Sequence, residues 1–370
     1  MNAYDEPVLR KYMPELDVLR GVAVLSVFLY HGIYFSGSSV STQGLARAFG
    51  QLTMFGWLGV NLFFVLSGFL ITRILVDTKG KPDYFRKFYL RRALRILPIY
   101  LVVLVVLLLL RLVLWRYVVI SLLFLSNYSG AMGLVGYGPL WSLSVEEQFY
   151  LLWPALVGAV SRRTLTIIGV SFVLIDPLLR WLSFTGRLPL GDVHSSTLLV
   201  LDNLALGALA AMFARSRFGS RRNAIQVAGA LVFAGLLVLA AGLHYGILHR
   251  DNPVGATMQT VPANLLFTGV LLWMLGRRPA WVVRWPGAPL RFFGYISYGL
   301  YLTNFLVTTM YIRTVLHYNP ASRLVHVYPK MVLAGSLSVL VAWLSRRYFE
   351  EYFLRVRVDG RLHTLPSTGR

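Results

Sequence analysis

The chain has 370 residues, 56% of them hydrophobic and 14% charged, with a formal net charge of +21 and no cysteine. Apolar runs repeated along the whole length exclude an ordinary soluble protein and leave no stretch for a sizeable soluble domain. The missing cysteine excludes disulfide staples, thiolate-bound metals and thiol nucleophiles, and the basic charge is spread as a membrane topology signal, which argues against a nucleic-acid partner.

Runs of spanning length predict ten transmembrane helices, at about 18–35, 55–75, 96–114, 141–160, 164–182, 196–214, 224–244, 260–277, 291–312 and 330–348. The first reads as a retained span, since no small-residue cleavage site follows it. The N-terminus, the connections 73–95, 161–163, 215–223 and 277–291, and the C-terminal tail hold 27 of the 36 Lys and Arg residues; the five alternate connections hold 9. The positive-inside rule then puts both termini in the cytoplasm. The expected architecture is all-α and polytopic: one transmembrane domain over 1–358 and a polar cytoplasmic tail over 359–370. The Gly/Ser-rich connection 36–54 is expected outside, and the short apolar piece Val118 to Leu125 is expected to be interfacial or re-entrant.

Candidate functional residues follow in chain order. The first span has Arg20 at its entrance and His31 eleven residues on, which brings them to within about 20° on one helical stripe and roughly 16 Å apart along the axis. They read as two ends of a site, or as an anchor and a span end. The second span contains Asn61 and the pair Ser67 and Gly68, which suit interhelical hydrogen bonding and close helix approach as well as ligand contact. Between the second and third spans, Arg92 and Arg95 share a face among interleaved aromatics. They fit a juxtamembrane helix on anionic lipid and equally a pocket for phosphates.

The fourth span carries the most specific polar signal, Glu146 and Glu147 about 8–9 Å below the helix start, where no loop can solvate them. Ser142, Glu146, Phe149, Tyr150 and Trp153 fall on one face, which singles out Glu146 as the site-facing carboxylate and leaves Glu147 to the next face. In the ninth span Ser297, Tyr301 and Asn304 form another polar stripe, open to interhelical bonding or to function. The remaining histidines, His194, His244, His249, His317, His326 and His363, lie in connections or at span ends and read as solvated. No zinc-protease pattern and no phosphate-binding glycine loop occurs, so no metal is expected.

Taken together, these stretches resemble the acyltransferase-3 family of integral membrane acyltransferases. The likeness is carried by the Arg20 to His31 spacing, the V-N-x-F-F-x-L-S-G-F segment from Val60 to Phe69, and R-x-x-R-I-x-P from Arg92 to Pro98. W-S-L-x-x-E-E-Q-F-Y-L-x-W-P from Trp141 to Pro154 and F-x-Y-I-S-Y-x-x-Y-L from Phe293 to Leu302 complete it. One departure is Asn304, where members commonly have histidine.

The resemblance implies a multi-pass protein of a bacterial cytoplasmic (inner) membrane. It would move an acetyl or other acyl group from acetyl-CoA, as co-substrate, onto a hydroxyl of a surface or secreted carbohydrate or glycolipid. His31 would act as general base, with Glu146 orienting its imidazole or stabilising its protonated form and Arg20 as a further catalytic candidate. Arg20, Arg92 and Arg95 would hold the CoA phosphates on the cytoplasmic side. The acceptor would approach near Trp141, Tyr150 and Tyr301, with Asn61, Ser142, Glu147, Ser297 and Asn304 completing the substrate contacts. Many relatives add an extracytoplasmic esterase-like domain, for which this chain is read as having no room. The competing reading is a transporter or flippase of a lipid-linked sugar, which favours two-fold internal repeats; none is visible here.

Overall fold

The computed structural model describes residues 3–34, 50, 52–246, 253–315 and 327–355. The connection 35–49, the tail 359–370 and His249, His317, His326 and His363 fall outside the described residues. What is described is helical, with no strand beyond an isolated bridge between Pro7 and Ser220. That is the form apolar runs must take in lipid, because a helix satisfies every backbone N–H and C=O within one segment.

In chain order the helices are α1 (Pro14–Leu29), α2 (Gly59–Thr78), α3 (Tyr84–Leu109), α4 (Trp115–Leu122) and α5 (Leu140–Ala159). There follow α6 (Arg162–Phe184), α7 (Leu201–Ala214), α8 (Arg221–His244), α9 (Pro253–Met258) and α10 (Val261–Arg277). The last are α11 (Gly287–Val315), α12 (Val327–Leu344) and α13 (Glu351–Arg355). Five helical segments are long and apolar enough to cross a membrane: Leu52–Thr78, Tyr84–Leu109, Arg162–Phe184, Arg221–His244 and Pro253–Arg277. Two of these have few buried residues in their most apolar stretch, 22% for the α6 segment and 17% for α8. Their exposed Leu174, Phe233, Leu236 and Leu237 therefore face what surrounds the bundle, as a lipid-bathed helix does.

Small residues set the closest helix pairs. A Cβ on Gly68 of α2 would lie 2.0 Å from the Leu204 carbonyl oxygen of α7, and one on Gly207 the same distance from that of Val65. Gly21 of α1 meets Leu290 of α11 in the same way, at 1.9 Å. Backbone contact of this kind replaces the hydrophobic drive that lipid removes. The expectation that Gly68 permits close approach is therefore met. Around α2 lie α1, α5, α7 and α10, and this central helix carries Asn61 and Ser67 into the interior.

The apolar piece after α3 forms α4, eight residues long with only Tyr117 and Ser121 buried. It is tied back to its neighbours by Tyr100, whose hydroxyl donates to the Ser121 carbonyl at 2.7 Å.

A buried polar network lies where α2, α6, α7 and α10 meet. Arg180, 1% exposed, donates to Asp202 Oδ2 at 2.9 Å and to the carbonyls of Leu199 and Thr257 at 3.0 and 3.1 Å. Asp176 accepts from the Asp202 backbone N–H at 2.7 Å. Asn203 and Asn264 each donate to Asp202, and Asn61 donates to both of their side-chain oxygens, at 2.9 and 3.0 Å. The sequence signal for this network is a charged pair four residues apart inside an apolar run, Asp176 and Arg180.

Candidate active site

Among the described residues, two cavities of the bundle share a wall. The first, of about 90 Å³, is bordered by Arg20 of α1, Ser67 of α2, Arg92 and Arg95 of α3, Ser142, Glu146 and Tyr150 of α5, and Ser297, Tyr298 and Tyr301 of α11. The second, of about 440 Å³, is bordered by Tyr30, His31, Trp57, Asn61, Trp141, Arg180, Asp192, His194, Asn203 and Tyr301 among others. Val60, Phe64 and Tyr301 border both and form the partition. We call the two the arginine cavity and the histidine chamber.

Helical spacing accounts for the arginine cavity. Arg92 and Arg95 are one turn apart on α3, and Ser142, Glu146 and Tyr150 recur every four residues on α5, so each set presents one face. Arg20 pairs with Asp17 at 3.3 Å. Arg92 and Arg95 have no carboxylate at ion-pair distance among the described residues. Arg92 instead lies 5.0 Å above the Tyr150 ring and 5.9 Å above that of Phe88. Three guanidiniums around one partly apolar cavity, two of them without an acid, suit a multiply charged anion.

Glu146 faces the same cavity. Its Oε1 accepts from Ser67 Oγ at 2.6 Å, and the Tyr150 hydroxyl lies 3.2 Å from Oε2 and 3.0 Å from Ser67 Oγ. The carboxylate thus holds the tyrosine whose ring supports Arg92. At the partition, Ser142 Oγ and the Tyr301 hydroxyl share a short hydrogen bond. Ser297 turns back on its own helix, donating to Gly294 O at 2.8 Å.

His31 lies in the other compartment. The regular winding of α1 ends at Leu29, and Tyr30–Tyr34 continue as a wider π-type turn. The 100° step that put Arg20 and His31 on one stripe stops two residues before the histidine. Its ring packs edge-on to Phe305 and tilted against Tyr30, with centroids 5.6 and 5.5 Å apart. Glu146, expected to orient the imidazole or to stabilise its protonated form, hydrogen-bonds to Ser67 and Tyr150 and borders the arginine cavity, whereas His31 borders the chamber. Tyr150, expected beside the acceptor, belongs with Arg92.

Three other expected residues are placed as follows. Asn61 borders the histidine chamber but spends its amide on Asn203 and Asn264. Glu147 borders neither cavity and has one buried oxygen, Oε1, without a hydrogen-bond partner. Asn304 is 4% exposed, accepts from Thr308 on its own helix at 3.3 Å, and borders neither cavity.

One further correction concerns a connection. His194, expected to be solvated, is half-buried in the chamber, edge-on to Trp57 with centroids 6.4 Å apart and 3.2 Å from the Gln259 amide nitrogen. Trp57 comes from the short turn Phe55–Leu58 ahead of α2. His194 carries no helical-spacing signal, since it reaches the chamber from the connection between α6 and α7. His244 is exposed, as expected. Among the described residues, no group of three or more His, Asp or Glu side chains converges to hold a metal ion.

Comparison with known proteins gives one family. The family model described as an acyltransferase domain, acyltransferase-3, matches residues 13–347. The peptidoglycan O-acetyltransferase OatA of Listeria monocytogenes is 27% identical over 341 residues, covering 81% of this chain and 50% of the relative. The Bacillus subtilis protein YrhL, whose name assigns it the same activity provisionally, is 29% identical over 387 residues, covering 94% of this chain and 56% of its own. The O-acetyltransferase OatA of Staphylococcus aureus is 30% identical over 177 residues, covering 41% of this chain and 26% of its own. The chain thus spans about half the length of the first two relatives. No solved structure gives a significant match.

Proposed function

Because the chain belongs to the acyltransferase-3 family, we propose that it is a membrane O-acyltransferase working across the bilayer. It takes an acetyl group from acetyl-CoA at the cytoplasmic face and passes it to a hydroxyl of an envelope carbohydrate. The names of two relatives suggest a peptidoglycan-type glycan as that acceptor. The proposal includes ten crossings of a bacterial inner membrane with both termini cytoplasmic, supported by the 27-to-9 partition of basic residues.

The single observation that carries this reading is the shared wall. Two compartments of opposite chemistry, one built on arginines and one on a histidine among aromatics, meet at Val60, Phe64 and Tyr301. A donor held by its phosphates and an acceptor held by its ring need such an arrangement, with the reacting atoms at the partition. The arginine cavity, of about 90 Å³, is bordered both by the three arginines and by the partition residues. In this reading the acyl-thioester arm reaches the partition, and Arg20, Arg92 and Arg95 keep the phosphates at the cytoplasmic end.

In the reaction the acceptor hydroxyl oxygen attacks the thioester carbonyl carbon. The new C–O bond forms, the C–S bond breaks, and the hydroxyl proton passes to His31 and on to the departing thiolate. Histidine suits this exchange because its ordinary titration lies near neutral pH. Glu146 is a positioning residue in this scheme: through Ser67 and Tyr150 it fixes the surface on which Arg92 rests.

The test is CoA release from acetyl-CoA by the purified protein in detergent, beside His31→Ala and Arg92→Ala. Release by the wild type and its loss in both variants is the expected result. Binding of a lipid-linked sugar with no thioester turnover under any acceptor would overturn the reading in favour of a flippase.

A further inference from the structure

We propose that the histidine chamber is an acceptor site whose ring-binding surface comes from the turn ahead of α2 and from the α6–α7 connection, with Trp57 as the stacking face and His194 and Asp192 as the hydroxyl contacts. This rests on the transferase reading above and names the substrate class as a neutral pyranose glycan. At about 440 Å³ the chamber falls within the roughly 300–1,000 Å³ of small-molecule sites. Half-buried Trp57, Trp141 and Tyr30 line it, and flat aromatic faces pack against the C–H face of a pyranose while nearby polar groups meet its hydroxyls.

The charges fit a neutral ring. Arg180 in the chamber lining is already bonded to Asp202 and two carbonyls, so among the described residues the chamber offers no spare guanidinium of the kind that marks the arginine cavity. Asp192 is exposed at the rim and uses only Oδ1 internally, accepting from the His194 backbone N–H at 2.8 Å and Ser195 Oγ at 3.2 Å. Its second oxygen is left for an acceptor hydroxyl.

The loop is also fixed in place relative to the reacting groups. Asn127 donates to the Ser195 carbonyl at 3.2 Å and to Thr197 Oγ1 at 3.1 Å, and Gln148 of α5 donates to Asn127 Oδ1 at 3.1 Å. The segment that presents His194 is thereby pinned to the helix that carries Glu146. Pre-set geometry of this kind lowers the ordering cost of binding.

The experiment is equilibrium binding of chitotetraose to the purified full chain without acyl donor. Variants are Trp57→Ala, Trp57→Phe and His194→Ala, with Phe55→Ala, an exposed neighbour outside the chamber, as control. We expect wild-type binding, a loss of about ten-fold or more in Trp57→Ala and His194→Ala, and retention in Trp57→Phe and Phe55→Ala. Retention by Trp57→Phe separates lost stacking from lost folding. Failure of the wild type to bind, or equal binding by Trp57→Ala, overturns the proposal. Absence of CoA turnover would overturn the transferase reading and leave this result standing, because no donor is used here.

Discussion

Replacing Glu146 by glutamine separates two roles for this carboxylate. In the structure its oxygens serve Ser67 at 2.6 Å and Tyr150 at 3.2 Å, and the Tyr150 ring lies 5.0 Å below the Arg92 guanidinium. A buried hydrogen bond contributes about 1 kcal/mol between neutral groups and up to about 3 when one is charged. Disturbing this anchor should weaken acetyl-CoA binding by roughly 5- to 150-fold. Tyr150→Phe keeps the ring and loses the hydroxyl, for about 1 kcal/mol or roughly five-fold. Tyr150→Leu also loses the cation–π contact, adding about 0.5–2 kcal/mol. Radiolabelled acetyl-CoA binding to detergent-purified protein gives the affinities, and CoA release against pH gives the turnover profile. The expected order of donor affinity is wild type, Tyr150→Phe, Tyr150→Leu, with Glu146→Gln below Tyr150→Phe. An unchanged affinity in Glu146→Gln, with a shifted pH profile of turnover, would refute this reasoning and restore a direct pairing with His31.

Other predictions are tested separately. His31→Ala should reduce CoA release by about 10²- to 10⁴-fold, the usual share of a general base, while labelled acetyl-CoA still binds; persistent turnover would remove His31 from the chemistry. Asp202→Ala strands Arg180 without its acid and should cost about 3–5 kcal/mol of stability. The double change Arg180→Met with Asp202→Leu should cost less than that single one, measured by denaturant unfolding in micelles. Gly68→Val drives a side chain into the Leu204 carbonyl and should abolish the monodisperse folded protein on size exclusion. Gly130→Ala, with nothing within 4 Å, should be neutral.

Helix identity was legible in the residues because lipid leaves the backbone one economical choice, and apolar run length reports it directly. The convergence of Arg92 with Arg95, and of Ser142, Glu146 and Tyr150, was legible for a related reason: helical spacing puts i, i+3 and i+4 on one face. The partition between the two cavities was not. It depends on Val60, Phe64 and Tyr301, from helices more than 200 residues apart in the chain, and on the widened turn that carries His31. Nor could spacing reveal that Glu146 bonds to Ser67, or that Asn61 joins Asn203 and Asn264. His194 carries no periodicity at all, because it reaches the chamber from a connection held by hydrogen bonds to other segments. Local spacing thus determined which side chains share a helix face, and long-range packing decided which compartment each face meets, because only packing sets how far apart two helices stand and what closes the space between them.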